Sequence, residues 1–134
     1  MNKLTPEQLM LLNQKIVSDE KVLPKVTDNE LKEIAEFPYQ KDEQLFYKYK
    51  TVAQKSAALG NIIAIKKPFV KANKETAVLA LLTLLGINGY KMVDYKKDIN
   101  ELYECLEQPT TDDTCKWIDE HMQKEDRITP ILNS

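Results

Sequence analysis

The chain has little of what marks a strand-rich, secreted or membrane-spanning protein. Three glycines in 134 residues leave few sites for the tight turns of a many-stranded fold, and β-branched residues rarely alternate with polar ones. Two cysteines, Cys105 and Cys115, match no metal-ligand spacing, and a reducing compartment would keep both as thiols with a structural role. One histidine, His121, lies in the polar stretch WIDEHMQKED near a helix end and reads as a surface residue. The longest apolar run, Ala77 to Leu85, is interrupted by Thr83 and is less than half of the ~20 residues a spanning helix needs. The N-terminal MNKLTPEQ has no apolar h-region of a secretory signal. The expectation is a cytoplasmic protein with no membrane partner.

Neither sign of charge dominates. With 19 basic and 21 acidic side chains the net charge is −2, which argues against a general nucleic-acid binder. What the chain does have is 43% apolar and 30% charged residues, a balance that excludes disorder. Its length suits one domain, residues 1–134, able to bury a core. No internal repeat, low-complexity segment or linker interrupts it.

The apolar residues recur at helical spacing. A first helix opens at Thr5, with Pro6 at its first position and Gln8 placed for a capping box, and Leu9, Leu12 and Ile16 form its apolar stripe. Val22-Leu23-Pro24 breaks the chain. A short second helix starts at Thr27 with Glu30 as cap partner, carries Leu31, Ile34 and Ala35, and ends at Phe37-Pro38. The spacing predicts a long third helix from Asp42 to Ile65, with Leu45, Tyr49, Val52, Ser56, Leu59 and Ile63 on one face. Ala53, Ala57 and Gly60 beside that face would let another helix approach closely. A fourth helix runs from Ala72 to Asn88, stopped by Gly89. Its residues Val78 to Leu85 are apolar all round, so it should be the central buried element. Two further helices follow, one with Ile99, Leu102, Tyr103 and Leu106, the other from Thr111 or Asp112 with Cys115, Ile118 and Met122 inward and Trp117 at its edge. The tail RITPILNS reads as a loosely packed extension. The fold class is therefore all-α, a compact bundle of about six helices. Tyr39, Phe46, Tyr47 and Trp117 suit either a contact surface or the core.

The junction before the fourth helix, KPFVKANKETA from Lys67 to Ala77, holds the chemistry. Lys66, Lys67, Lys71 and Lys74 place four positive side chains within nine residues, at a helix start whose backbone N–H groups and dipole favour an anion. Asn73 can donate from its amide in the first turn, and Phe69 is the natural anchor that folds the loop onto the core. Surface lysines are as a rule simply solvated, so composition alone does not make a phosphate site.

The order of these residues resembles the core motif of the Fic/Doc family, most closely its death-on-curing branch. That pattern reads His-x-Phe-x-Asp/Asn-Ala/Gly-Asn-Lys-Arg-Thr-Ala. This chain offers Lys67, Phe69, Lys71, Ala72, Asn73, Lys74, Glu75, Thr76 and Ala77 in the same register without a gap. Leu4-Thr5-Pro6-Glu7-Gln8-Leu9, the stretch from Val22 to Leu31 and Asn88-Gly89-Tyr90 are similar to the branch's flanks, so the likeness covers residues 4 to 106. It implies the compact all-helical Fic fold around one buried helix.

The resemblance also implies a damaged site. Lys67 stands where the family has its histidine general base, Lys71 where it has the acidic ligand of a nucleotide-bound magnesium ion, and Glu75 where it has a phosphate-binding arginine. Lys67 could act as a base only if neighbouring positive charge and burial lowered its pKa from ~10.4 towards neutrality. Losing a general base typically slows a reaction ~10²–10⁴-fold, and phosphoryl transfer further depends on electrostatic positioning. The expectation is a pseudoenzyme of bacterial or phage type with no metal site and no cofactor. It would bind a protein partner, an antitoxin-like segment or a host protein, or else a nucleotide or other phosphate-bearing ligand, through Lys67, Phe69, Lys71, Asn73 and Lys74. The alternative is an active toxin of a toxin–antitoxin pair, which by resemblance would use ATP and magnesium to phosphorylate elongation factor Tu.

Overall fold

Local capping decides where the first helices begin. In the computed structural model, which describes residues 1–18 and 25–124, α1 spans Pro6–Val17 behind a reciprocal capping box between Thr5 and Gln8. The break expected at Val22-Leu23-Pro24 and the tail from residue 127 lie outside the described residues. Helix α2, Asp28–Glu36, starts where the Thr27 hydroxyl accepts from the Glu30 amide, and buries Leu31, Ile34 and Ala35. A single 3-10 turn at Phe37–Tyr39 ends it.

The third helix is shorter than its periodicity predicts. Helix α3 spans Val52–Lys66, not Asp42 to Ile65, because Thr51 and Gln54 form a second capping box at its start. Upstream, the Asp42 carboxylate accepts from the Gln44 and Phe46 amides at 2.9 and 3.0 Å and turns the chain back on itself. Asp42 N–H and Lys48 N–H then bond to the carbonyls of Phe46 and Gln40. Leu45 is therefore not on a helix face; it sits at the turn with φ 68° and is 76% exposed.

Helix α4, Asn73–Ile87, packs along α3 more extensively than any other pair of elements. Gly60 of α3 makes that approach possible: a Cβ there would lie 2.7 Å from Leu81 Cδ2 and 3.0 Å from Leu106 Cδ2. Ala77, Ala80, Leu81, Leu84 and Leu85 of α4 are fully buried, while Leu79, Leu82 and Thr83 are half-buried and Ile87 is exposed. The helix is central but not enclosed on every side. Past its end, Asn88 exchanges hydrogen bonds with Asn2, and Gly89 takes φ 88°, a left-handed turn that favours glycine.

Helices α5, Ile99–Leu106, and α6, Asp112–His121, complete six α-helices among the described residues, and the buried apolar side chains form one core cluster. The helical character follows the expectation. A small antiparallel ladder does not: β1, Tyr90–Met92, pairs with β2, Met122–Lys124, with Tyr90 opposite Lys124. Among the described residues, no helix is long and apolar enough to cross a membrane.

Trp117 and His121 also correct their expected places. Trp117 is 3% exposed and not at an edge, and His121 is 7% exposed and not on the surface. Their rings stack at 4.1 Å. Of the four aromatic residues that suited surface or core, Tyr39 and Trp117 are buried whereas Phe46 and Tyr47 are exposed.

Candidate functional site

The junction between α3 and α4 is a closed clasp. Lys67, at the C-terminal cap of α3, takes a left-handed conformation (φ 48°, ψ 60°) and donates its N–H to Ile63 O. Ala72, which precedes α4, is left-handed as well (φ 62°, ψ 34°). Such conformations cost roughly 1–2 kcal/mol each outside glycine, so contacts between them must hold the loop. Phe69 is the first of these contacts: its side chain is 1% exposed and sits in the core. Asn73 is the second. Its Oδ1 accepts from Phe69 N–H and its Nδ2 donates to Phe69 O, both at 2.9 Å.

A buried asparagine from α1 supplies the third contact. Asn13 Nδ2 donates to Lys71 O at 3.0 Å and to Thr76 Oγ1 at 2.9 Å, and Thr76 Oγ1 in turn donates to Ala72 O at 2.6 Å. Pro68 O accepts from Lys25 N–H at 2.7 Å. The Asn73 Oδ1 and one N–H of its Nδ2 are thus engaged within the loop. Asn13 and Thr76 were not legible as a pair, since 63 residues separate them.

The lysines fare differently from one another. Lys74 forms an ion pair with Glu107 at the end of α5, and the hydrogen bond to that carboxylate, more than the nearby charges of Glu107, Glu75 and Tyr103, raises the Lys74 pKa. The same bond lowers the Glu107 pKa, with a smaller contribution from the charge of Lys67. Lys66 shares a cleft of about 410 Å³ with Glu30 and Glu33. The side chains of Lys67 and Lys71 are exposed at the loop surface. Glu107, which the sequence did not single out, is the residue that most changes the loop's electrostatics, because it brings a carboxylate to the start of α4.

Elsewhere the titratable groups are structural. His121 Nδ1 lies 2.7 Å from Trp117 O and its Nε2 lies 2.8 Å from the Asp98 carboxylate. Both oxygens only accept, so the doubly protonated ring satisfies both contacts. Burial works against that charge, but the bonds to Asp98 and Trp117, with the charges of Asp98 and Glu120, outweigh it and raise the pKa. Trp117 Nε1 donates to Asp98 O at 3.2 Å, which closes the cluster. Cys105 and Cys115 are half-buried free thiols whose pKa values are raised, first by burial and then by neighbouring carboxylates, a setting that suppresses thiolate chemistry. No group of three or more His, Cys, Asp or Glu among the described residues is arranged to hold a metal ion.

Set beside known proteins, the chain matches no family model, no curated sequence and no solved structure.

Proposed function

We propose that the chain is a degenerate Fic/Doc-like protein that acts by binding a protein partner, without phosphoryl or nucleotidyl transfer. The observation that carries this reading is the engagement of Asn73 by both backbone groups of Phe69. In the resemblance, Asn73 and Lys74 are the phosphate-side residues that survive intact. Here one is turned inward to hold the loop and the other is paired with Glu107.

Three features support the likeness itself. Phe69, the anchor of the pattern, is in the core. Ala72, at the position the pattern gives to alanine or glycine, has a left-handed backbone of the kind that favours glycine. The helix then begins at Asn73, where the pattern opens its buried helix. The residues present do not fit a magnesium-bound nucleotide, since Lys71 stands in place of the metal's carboxylate and Lys74 is paired with Glu107. A protein partner is favoured over a phosphate ligand by the turn before α3, where Leu45, Phe46 and Tyr47 are 76%, 62% and 41% exposed in succession.

A transfer assay with labelled ATP, comparing the native chain with a Lys67→His, Lys71→Asp, Glu75→Arg triple variant, tests the reading. The native chain is expected to be inert. Activity in the triple variant alone would mark a disabled scaffold, whereas activity in the native chain would favour the toxin alternative. Calorimetry with ATP, ADP and inorganic phosphate, with and without magnesium, should show no saturable heat; a clean isotherm would move the ligand to the phosphate class.

A further inference from the structure

An open groove of about 450 Å³ runs between α1 and α4. Its lining is mainly apolar: Leu4 is buried, Leu12 is half-buried, and the Thr83 hydroxyl donates to Leu79 O at 2.7 Å, within its own helix. Leu11 and Ile87 line the same groove and are 66% and 38% exposed. Apolar surface gathered in a concave site and left in water is a place where other apolar groups dock.

The small ladder sets where the chain heads next. Strand β2 ends at Lys124, opposite Tyr90, and runs antiparallel to β1. Its end is therefore directed back along Gly89 and Asn88, toward the C-terminal end of α4. There Asn88 is bonded to Asn2, and Asn2 Nδ2 donates to Ile87 O at 2.8 Å, so Leu4 and Ile87 lie at the near end of the groove. Residues 125–134, EDRITPILNS, follow Lys124. At about 3.3 Å per extended residue they can span about 33 Å, whereas the whole of α1 is about 18 Å long. Both reach and direction are sufficient.

The composition of that segment also fits. Ile128, Pro130, Ile131 and Leu132 put four apolar residues within five, after the charged Glu125, Asp126 and Arg127. Pro130 has no N–H to leave unpaired against an apolar surface.

We propose that residues 128–132 of the chain itself cover this groove, with Ile128, Ile131 and Leu132 against Leu11, Leu12 and Ile87. The α1–α4 face is then closed from within, and the turn from Leu45 to Tyr47 is the apolar surface left for a partner. This contact is independent of the transfer reaction and of the clasp at Asn73.

The test is NMR of the full chain with labelled isoleucine and leucine methyl groups. Nuclear Overhauser contacts should join the Ile131 and Leu132 methyls to those of Leu11 and Ile87, with the same intensity on dilution. Leu11→Lys, at an exposed position, should abolish them and shift the Ile131 methyls, whereas Leu45→Lys should leave both unchanged. Ile131→Asp provides a second reading outside the helices and should shift the Leu11 and Ile87 methyls. No such contacts in the full chain would overturn the proposal, as would Leu11 methyls unmoved by Ile131→Asp. Contacts seen only between differently labelled chains in a mixed sample would also overturn it and assign the groove to a second copy.

Discussion

Two lysine-bearing loops lead into the two longest helices, and they are built in opposite ways. The loop before α4 turns its polar groups inward: Asn73 holds Phe69, Asn13 holds Lys71 O, and Phe69 fills the core. The segment before α3 is fixed from its base. The Asp42 carboxylate sets its turn, and the buried ammonium of Lys55 donates to Tyr49 O at 2.6 Å and lies over the Tyr47 ring at 4.6 Å. Burial lowers the Lys55 pKa. The turn's tip then points Leu45 and Phe46 outward. A charged, motif-like loop can thus be mainly scaffold, while an unremarkable segment offers the apolar surface. Residue type locates the chemistry, but hydrogen-bond partners decide whether any is left for a ligand.

The contrast can be broken most sharply at Phe69. Phe69→Ala should cost about 3–5 kcal/mol in urea unfolding, as a large buried ring is lost beneath the clasp. A cost near zero would mean that the loop is not anchored to the core.

The next effect, about 1–2 kcal/mol, belongs to the Asp98–His121 pair. Because the His121 pKa is raised on folding, its stabilisation is fully present below the unfolded value of about 6.5. It is lost as pH rises through the higher folded value. Stability should therefore fall as pH rises above about 6.5, and Asp98→Asn should flatten that dependence. An identical pH profile in the variant would remove the pair from the account.

The smallest effect is expected at the exposed turn. Leu45→Gly relieves a left-handed side chain at φ 68° but adds freedom to the unfolded chain, so thermal unfolding should show a gain of about 0.5 kcal/mol. A loss above about 1 kcal/mol would show that Leu45 packs in a way its exposure does not reveal.

Much of this fold is legible in the sequence where the determinants are local. The Thr5–Gln8 capping box, the Thr27 cap, the glycine stop after α4 and the small residue at Gly60 all act within a turn or one helix contact. Asp42 to Thr51 departs from the helical expectation for a physical reason. Leu45, Tyr49 and Val52 fall at helical spacing by chance, and the Asp42 turn and the Thr51–Gln54 box outcompete that weak periodicity. The Thr51–Gln54 box is a local signal and fixes the helix start more strongly than the apolar pattern does. His121 reads as polar surface because its neighbours in the chain are polar; its partner Asp98 is 23 residues away. The clasp was half legible. Phe69 could be read as an anchor from its setting, but the engagement of Asn73 and the approach of Glu107 depend on backbone geometry and tertiary packing.

Asn73→Ala tests the central claim most directly. If the asparagine holds the loop, its removal leaves Phe69 N–H and C=O unpaired and should lower the unfolding free energy by about 2 kcal/mol, after a small gain in helix propensity. Unchanged stability in urea would contradict the clasp and return Asn73 to the role of a ligand-binding residue.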